Sequence, residues 1–341
     1  MGKRKKASLA YIKDRIWPKL QGWKEKLLSQ AGREVLLKAV IQVIPAYSMS
    51  CFKLPISLCQ EIEIMIRQFW WGQRGTRRRI HWVKWHTLCR QKASGGMRFR
   101  ELRNFNDTML AKQVWRLLKN QDSLFYRFFK SKYFPHGSIF DAKDNRGSFA
   151  WKSILKGREL IKCGLKWRIG DGAQVRIFHD AWLPGSQHGK VLSPVPESHA
   201  NALVYSLINH EDRCWNVAKI DRLFLPDEPA TIKAIPFSLF AQTDLPFWPY
   251  SRDGVFSVKS DFHRLMELED TELNGVANIG TTSPVWKAIW RMNVPNRVKS
   301  LVWRAGRNAL PTWMNLVRRQ ILTDAMCSEC KVQLEDTQHA F

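Results

Sequence analysis

Three residues near the C-terminal end have types and spacing suited to metal chemistry. Cys327 and Cys330 are separated by Ser328 and Glu329, and His339 follows after eight more residues. A Cys-x-x-Cys turn sets two thiolates on one side of a metal ion, and a His arriving from the next turn supplies a third donor. Structural zinc takes four such ligands at tetrahedral angles. The sequence runs two residues beyond His339, so the expectation is a three-ligand site, Cys327, Cys330 and His339, with the fourth ligand missing and zinc held weakly. A chain extended to bring in one more Cys should retain the metal better, because zinc affinity is folding energy in such modules. The other five Cys, at 51, 59, 89, 163 and 214, are isolated, which suits free thiols in a reducing compartment better than a disulfide framework.

A second chemistry is written in the charge. Residues 1–182 carry 38 Lys and Arg against 13 Asp and Glu, whereas residues 183–341 carry 17 of each. The whole excess of +25 therefore lies in the first half, and a one-sided excess makes a directed field that suits a polyanion such as nucleic acid. An acidic membrane surface would also answer such a field, but no long basic amphipathic helix with an unbroken apolar face is present. No apolar run approaches the ~18 residues that a membrane helix needs, and no apolar segment follows the basic start Gly2-Lys-Arg-Lys-Lys6. A soluble, intracellular protein without a membrane partner is expected, in nucleus or cytoplasm; its oligomeric state is not written in the sequence.

The candidate phosphate contacts are Lys13, Lys24, Lys26 and Arg33 on the first helices, then Arg74, Arg77, Arg78, Arg79 and Lys84 around a loop flanked by Trp70, Trp71, Trp82 and Trp85. Basic residues interleaved with aromatic ones are what single-stranded nucleic acid requires, cations for phosphate and rings for bases. The same tryptophans also suit a core, and burial is the expectation for them; the arginines are hard to bury without partners. His81 and His86 have no Cys or carboxylate at ligand spacing and read as packing or hydrogen-bonding residues.

The elements that must position these groups are mainly helical. Ser29 caps a helix with Leu36, Leu37, Val40, Ile41 and Ile44 on one stripe, and Pro45 ends it. Pro55 opens another, with Leu58, Ile62, Met65, Ile66 and Phe69 inward. Asn106 begins a helix through Leu118, Leu124 to Tyr133 forms a basic, aromatic one, and Trp151 to Gly164 a third. The alternation on either side of Gly170-Asp-Gly172 predicts a β-hairpin over 165–178. Residues 183–284 hold 13 acids against 8 bases and several prolines, with a helix over Lys259 to Leu268 and a flexible linker over 267–282. Short helices follow around Trp290, Leu301 and Leu316.

Taken together, Trp23-Lys-x-Lys-x-Leu-Leu-Ser29, Ile44-Pro45-x-Tyr47, Phe69-Trp-Trp-Gly72, His81-Trp-Val-Lys-Trp85, Gly95-Gly-Met-x-Phe99, Phe105-Asn106 with Leu110-Ala-Lys-Gln-x-Trp-Arg116, and Trp167-Arg-Ile-Gly-Asp-Gly172 resemble the region downstream of the polymerase palm in plant LINE-type (non-LTR) retrotransposon reverse transcriptases. Val294-Pro295, Trp303-Arg-Ala305, Leu310-Pro-Thr312 and Cys327-x-x-Cys330 with His339 resemble the reverse-transcriptase zinc-binding domain.

The resemblance implies four parts: a helical thumb-like segment (1–75), a basic α+β connection region (76–182), an acidic, Pro-rich segment and linker (183–282), and a truncated zinc-binding module (283–341). The fold class expected is α+β, mainly helical. The family's polymerase centre is a paired Asp-Asp turn upstream of this region, whose carboxylates hold the metal ions for nucleotidyl transfer; this chain has no adjacent Asp-Asp pair. A non-catalytic fragment that holds RNA or an RNA/DNA hybrid through phosphates is therefore the expectation. The alternatives are a relic reading frame without function, or part of an active polymerase or ribonuclease H. Phe178, and Phe247 before Trp248, depart from the Trp-rich pattern of the family.

Overall fold

The computed structural model describes residues 5–24, 28–72, 79–143, 147–185, 189–236, 242–274 and 284–340. The helices that build it include, in chain order, α1 (Tyr11–Lys24), α2 (Gln30–Leu36), α3 (Ile56–Trp70), α4 (Leu102–Lys119), α5 (Leu124–Tyr133), α6 (Phe149–Gly164), α7 (Val258–Asn274), α8 (Pro284–Arg291), α9 (Asn296–Gly306) and α10 (Trp313–Arg318). Strand structure is sparse: β1 (Lys166–Arg168) pairs antiparallel with β4 (Leu245–Phe247), and β2 (Ile208–Asn209) with β3 (Cys214–Trp215). The fold is the mainly helical α+β class expected. By contacts the chain forms two units, residues 1–109 with 262–341, and residues 110–261. The four-part division by composition and motif follows other lines.

In the first unit, Ile12, Ile16 and Leu20 repeat every four residues on α1 and are fully buried, facing α3. Their partners on α3 are the expected stripe Leu58, Ile62, Met65, Ile66 and Phe69. Ser29 caps α2 as predicted, its Oγ accepting the Gly32 N–H at 3.2 Å. α4 starts at Leu102, four residues before Asn106. Asn106 is instead a buried tie: its Oδ1 accepts the Leu54 N–H at 2.8 Å, and its Nδ2 donates to the Met49 and Phe52 carbonyls at 2.9 Å each.

The first N–H of α4 has an unusual acceptor. Glu63 on α3 is buried, and its Oε1 accepts the Leu102 N–H at 2.7 Å. Burial, reinforced by the nearby Glu101, pushes its carboxyl up from 4.5 to about 7. The unfolded chain releases this proton near pH 4.5 and the folded chain only near 7, so the folded state binds more protons in between and loses stability as pH rises across that window. Glu63→Gln keeps the acceptor and removes the charge. It should flatten the pH dependence of the denaturation midpoint between pH 5 and 7, and stabilise the protein above pH 7 by up to roughly 3 kcal/mol. Equal pH slopes in the two proteins would refute this.

The C-terminal helices pack on the turn at Gly95-Gly96. Trp303 of α9 is buried and donates from Nε1 to the Gly95 carbonyl at 2.9 Å. Arg307 donates from Nε to the same oxygen at 2.8 Å and from Nη2 to the Ser94 carbonyl at 2.7 Å, with its guanidinium 4.7 Å from the Trp286 ring. Glycine is favoured at Gly95, since its φ is +76° and a Cβ would lie 2.6 Å from the Trp286 ring and displace Arg307. Arg90 and His86 both bond Asp270 of α7, at 2.6 Å each, so His86 is the hydrogen-bonding residue expected. α7 continues as helix through Asn274, where a linker was expected from 267; the rest of that linker, 275–282, lies outside the described residues.

The second unit is built on aromatic rings. Trp151 of α6 is fully buried, with Tyr133 stacked on it at 4.5 Å and Phe134 at 5.8 Å. Trp115, Trp248 and Phe256 form a second group at 4.8 to 6.4 Å. Gly157 lets α6 approach α4, since a Cβ there would meet Ala111 N at 2.4 Å.

The predicted hairpin over 165–178 does not form. Its first arm pairs instead with β4, Trp167 opposite Pro246, and Arg176 in its second arm makes an isolated bridge with Leu203. The reason is Asp244, buried beside the loop. Its Oδ1 accepts the N–H of Gly170 at 2.7 Å and of Gly172 at 3.0 Å, and its Oδ2 that of Gln174 at 2.8 Å. Donors that a hairpin would turn across to its other arm converge on one carboxylate.

Candidate metal centre and basic surface

The metal-ligand candidates lie on a short looped hairpin after α10. Met326 bridges Leu334, and the Cys327 N–H donates to the Gln333 carbonyl at 2.9 Å, so the Cys-x-x-Cys turn is clasped by backbone. Lys331, directly after the second Cys, is left-handed with φ of 54°. That kink turns the Val332 N–H onto Cys330 Sγ at 3.5 Å. This N–H and that of Gln333, with smaller help from Cys327 and His339, bring the Cys330 thiol down to about 7. Hydrogen bonds to sulfur favour the thiolate, which is the form that ligates metal.

His339 arrives from a turn fixed by Asp336, whose Oδ1 accepts the N–H of Gln338 at 2.8 Å and of His339 at 2.7 Å. Its Nε2 is 3.2 Å from Cys330 Sγ, and the ligand atoms of Cys327, Cys330 and His339 all lie within 4.8 Å of one another. Donors on one tetrahedral zinc stand about 3.5–3.8 Å apart, given bonds of about 2.0–2.3 Å. The group has the donor chemistry of a zinc site with its ligand atoms already gathered to within about an ångström of that spacing, and it is the one such cluster of His, Cys, Asp and Glu among the described residues. A bound zinc would cross-link the turn at 327–330 to the segment carrying His339. Asp336 is a functional residue that ligand spacing alone does not reveal, although an Asp three residues before a His is a recognisable turn signal.

Removing a donor should be visible directly. Cys330→Ser or His339→Ala is expected to weaken zinc at least tenfold in competition with a chromophoric chelator, and chelation should lower the melting temperature of the parent but not of the variants. Identical zinc retention in parent and variants would refute the assignment.

The basic candidates divide. Lys13 donates to Glu61 Oε2 at 3.0 Å and shares that carboxylate with Lys6 at 2.6 Å, so its acidic partner lies 48 residues away on α3. Arg33 donates from Nη1 to the Trp70 carbonyl at 3.5 Å, at the end of α3. Arg79 and Lys84 are exposed, and Arg319 of the zinc-bearing segment reaches the His81 and Trp82 carbonyls at 3.3 and 3.4 Å beside them. Lys26, Arg74, Arg77 and Arg78, and the side chain of Lys24, lie outside the described residues. Trp70 and Trp85 are buried as expected, with Trp71 and Trp82 half-buried. No described helix is long and apolar enough to cross a membrane.

A Cys-x-x-Cys turn whose second sulfur is met by backbone N–H groups, and a His brought to it by an Asp-fixed turn, define a zinc-binding module. Residues 256–341 match the family described as zinc-binding in reverse transcriptase. Across 340 residues, 98% of the chain, the sequence is 30% identical to the Arabidopsis thaliana protein named "Putative ribonuclease H protein At1g65750", of whose length the match covers 54%. It is 41% identical over 142 residues to the "Uncharacterized mitochondrial protein AtMg00310" of Arabidopsis thaliana, covering 92% of that protein. The chain belongs to the family of this mitochondrial protein and is retrotransposon-derived.

Proposed function

We propose that this chain is a non-catalytic, nucleic-acid-binding part of a LINE-type reverse transcriptase, which holds RNA or an RNA/DNA hybrid through backbone phosphates. The observation that carries the proposal is the one-sided charge: the excess of +25 falls within residues 1–182. Arg79 and Lys84, both exposed and joined there by Arg319, are the described cations best placed to meet phosphate. Lys13 and Arg33, held by Glu61 and by the Trp70 carbonyl, are assigned a smaller part. The match to a module of reverse transcriptases supports nucleic acid as the polyanion.

Filter binding of single-stranded RNA across a salt series tests this. Log K should fall linearly with log[salt], and Arg79→Ala or Lys84→Ala should weaken all sequences alike while reducing the slope by about 0.7. A salt-independent affinity, or loss confined to one sequence, would overturn the phosphate role. Primer-extension and ribonuclease H assays with Mg²⁺ or Mn²⁺ should give no product above control; turnover by the purified chain would overturn the non-catalytic part.

A further inference from the structure

We propose that α5 is a stacking platform for unpaired bases of a single-stranded nucleic acid, with Phe128 as the ring that receives a base. The proposal rests on the nucleic-acid reading above and assigns a part of the chain which that reading does not use.

α5 is ten residues long, is capped by Ser123, whose Oγ accepts the Tyr126 N–H at 3.1 Å, and buries none of its side chains completely. Its rows at four-residue spacing have different duties. Phe125, Phe129 and Tyr133 form the inner row; they are half-buried and pack on the core of the second unit, with ring centroids 4.8 Å and 5.7 Å apart in succession. Leu124, Phe128 and Lys132 form the outer row. An ordinary surface helix carries polar residues there. Here Leu124 is 75% exposed and Phe128 54% exposed.

One exposed ring means little by itself. What makes this one specific is its surroundings. Phe128 stands edge-on to Phe129, 5.4 Å away at 82°, while its outer surface meets solvent. Lys132 Nζ lies 5.7 Å from the Phe128 centroid and 5.5 Å from that of Tyr133, and Arg127 beside it is exposed. α5 contains no acid, and residues 110–168 hold 14 Lys and Arg against 4 Asp and Glu. An exposed ring flanked by cations, on a helix that carries no acid, matches a nucleotide in both its parts, base on ring and phosphate on ammonium or guanidinium. A lipid surface would need a longer apolar face than one Leu and one Phe provide.

The test compares the full chain with Phe128→Ala on three fluorescent probes: a single-stranded oligouridine, an abasic strand of equal length, and an RNA duplex. Because Phe128 is exposed, the melting temperature should not change. The expected result is a loss of roughly tenfold on oligouridine for Phe128→Ala, recovery in Phe128→Trp, and unchanged binding of the abasic strand and the duplex. Lys132→Ala should weaken oligouridine and the abasic strand together. Equal affinity of parent and Phe128→Ala for oligouridine overturns the platform while leaving the phosphate reading intact. Absence of salt-dependent binding to every probe overturns both. Phe128-dependent binding to anionic vesicles, with none to oligouridine, assigns the face to lipid and overturns the proposal.

Discussion

Asp244→Ala should destabilise the second unit by about 3–5 kcal/mol, read as a fall in the denaturation midpoint followed by tryptophan fluorescence. The carboxylate accepts three backbone N–H groups, from Gly170, Gly172 and Gln174, and hydrogen bonds to a charged acceptor are worth about 1.5–3 kcal/mol each. Water admitted by the smaller side chain recovers part of the loss. The local backbone has little freedom to rearrange. A Cβ at Gly170 would meet the Gln242 carbonyl at 2.2 Å, and Gly172 holds a φ of +72° with Tyr205 N 2.4 Å from its Cβ position. Asp244→Asn separates the contributions, because one amide oxygen can still accept two of the bonds while its NH₂ opposes the third donor. It should fall between parent and Ala. A change below about 1 kcal/mol in Asp244→Ala would show that the loop holds itself.

Trp303→Ala should cost the first unit a similar amount, about 3–5 kcal/mol, through loss of a fully buried ring. A buried Gly95 carbonyl would keep only Arg307 as its donor. Trp303→Phe retains most of the packing and removes the N–H, so it should cost about 1–2 kcal/mol. Hydrogen exchange should then quicken in α9 and in the turn at 92–96 together, since one contact serves both. Faster exchange in α9 with an unchanged turn would contradict the docking.

How much of this was legible in the sequence depended on the range of the forces involved. The α3 stripe, the Ser29 cap and the full span of α5 are local, written in periodicity and in single capping residues, and the structure has them where the residues place them. The metal group was legible because two of its ligands share a turn. Asp336 is legible only as a turn residue, since nothing in its type says that the turn carries a ligand. The pairing of β1 was not legible. Alternation around Gly170-Asp-Gly172 is the same for a hairpin as for two arms that find other partners, and the deciding carboxylate lies seventy-odd residues away at Asp244. Charge counting likewise showed an excess without showing that Lys6 and Lys13 share Glu61. Gly95-Gly96 read as a turn, but the arrival of Trp303 and Arg307 on it is a long-range event that no local pattern announces.

The division of the first unit between residues 1–109 and 262–341 bears on the order of synthesis. During synthesis residues 1–109 have no Trp303 to fill the space over Gly95 and no Asp270 to meet His86 and Arg90 until residues 262–341 emerge. The intervening residues 110–261 make their own contacts and can fold meanwhile. Loss of the chain from a point between residues 262 and 303 would thus strip the turn at Gly95 of Trp303 and Arg307, leaving a basic, unfinished helical surface exposed to chaperones and proteases.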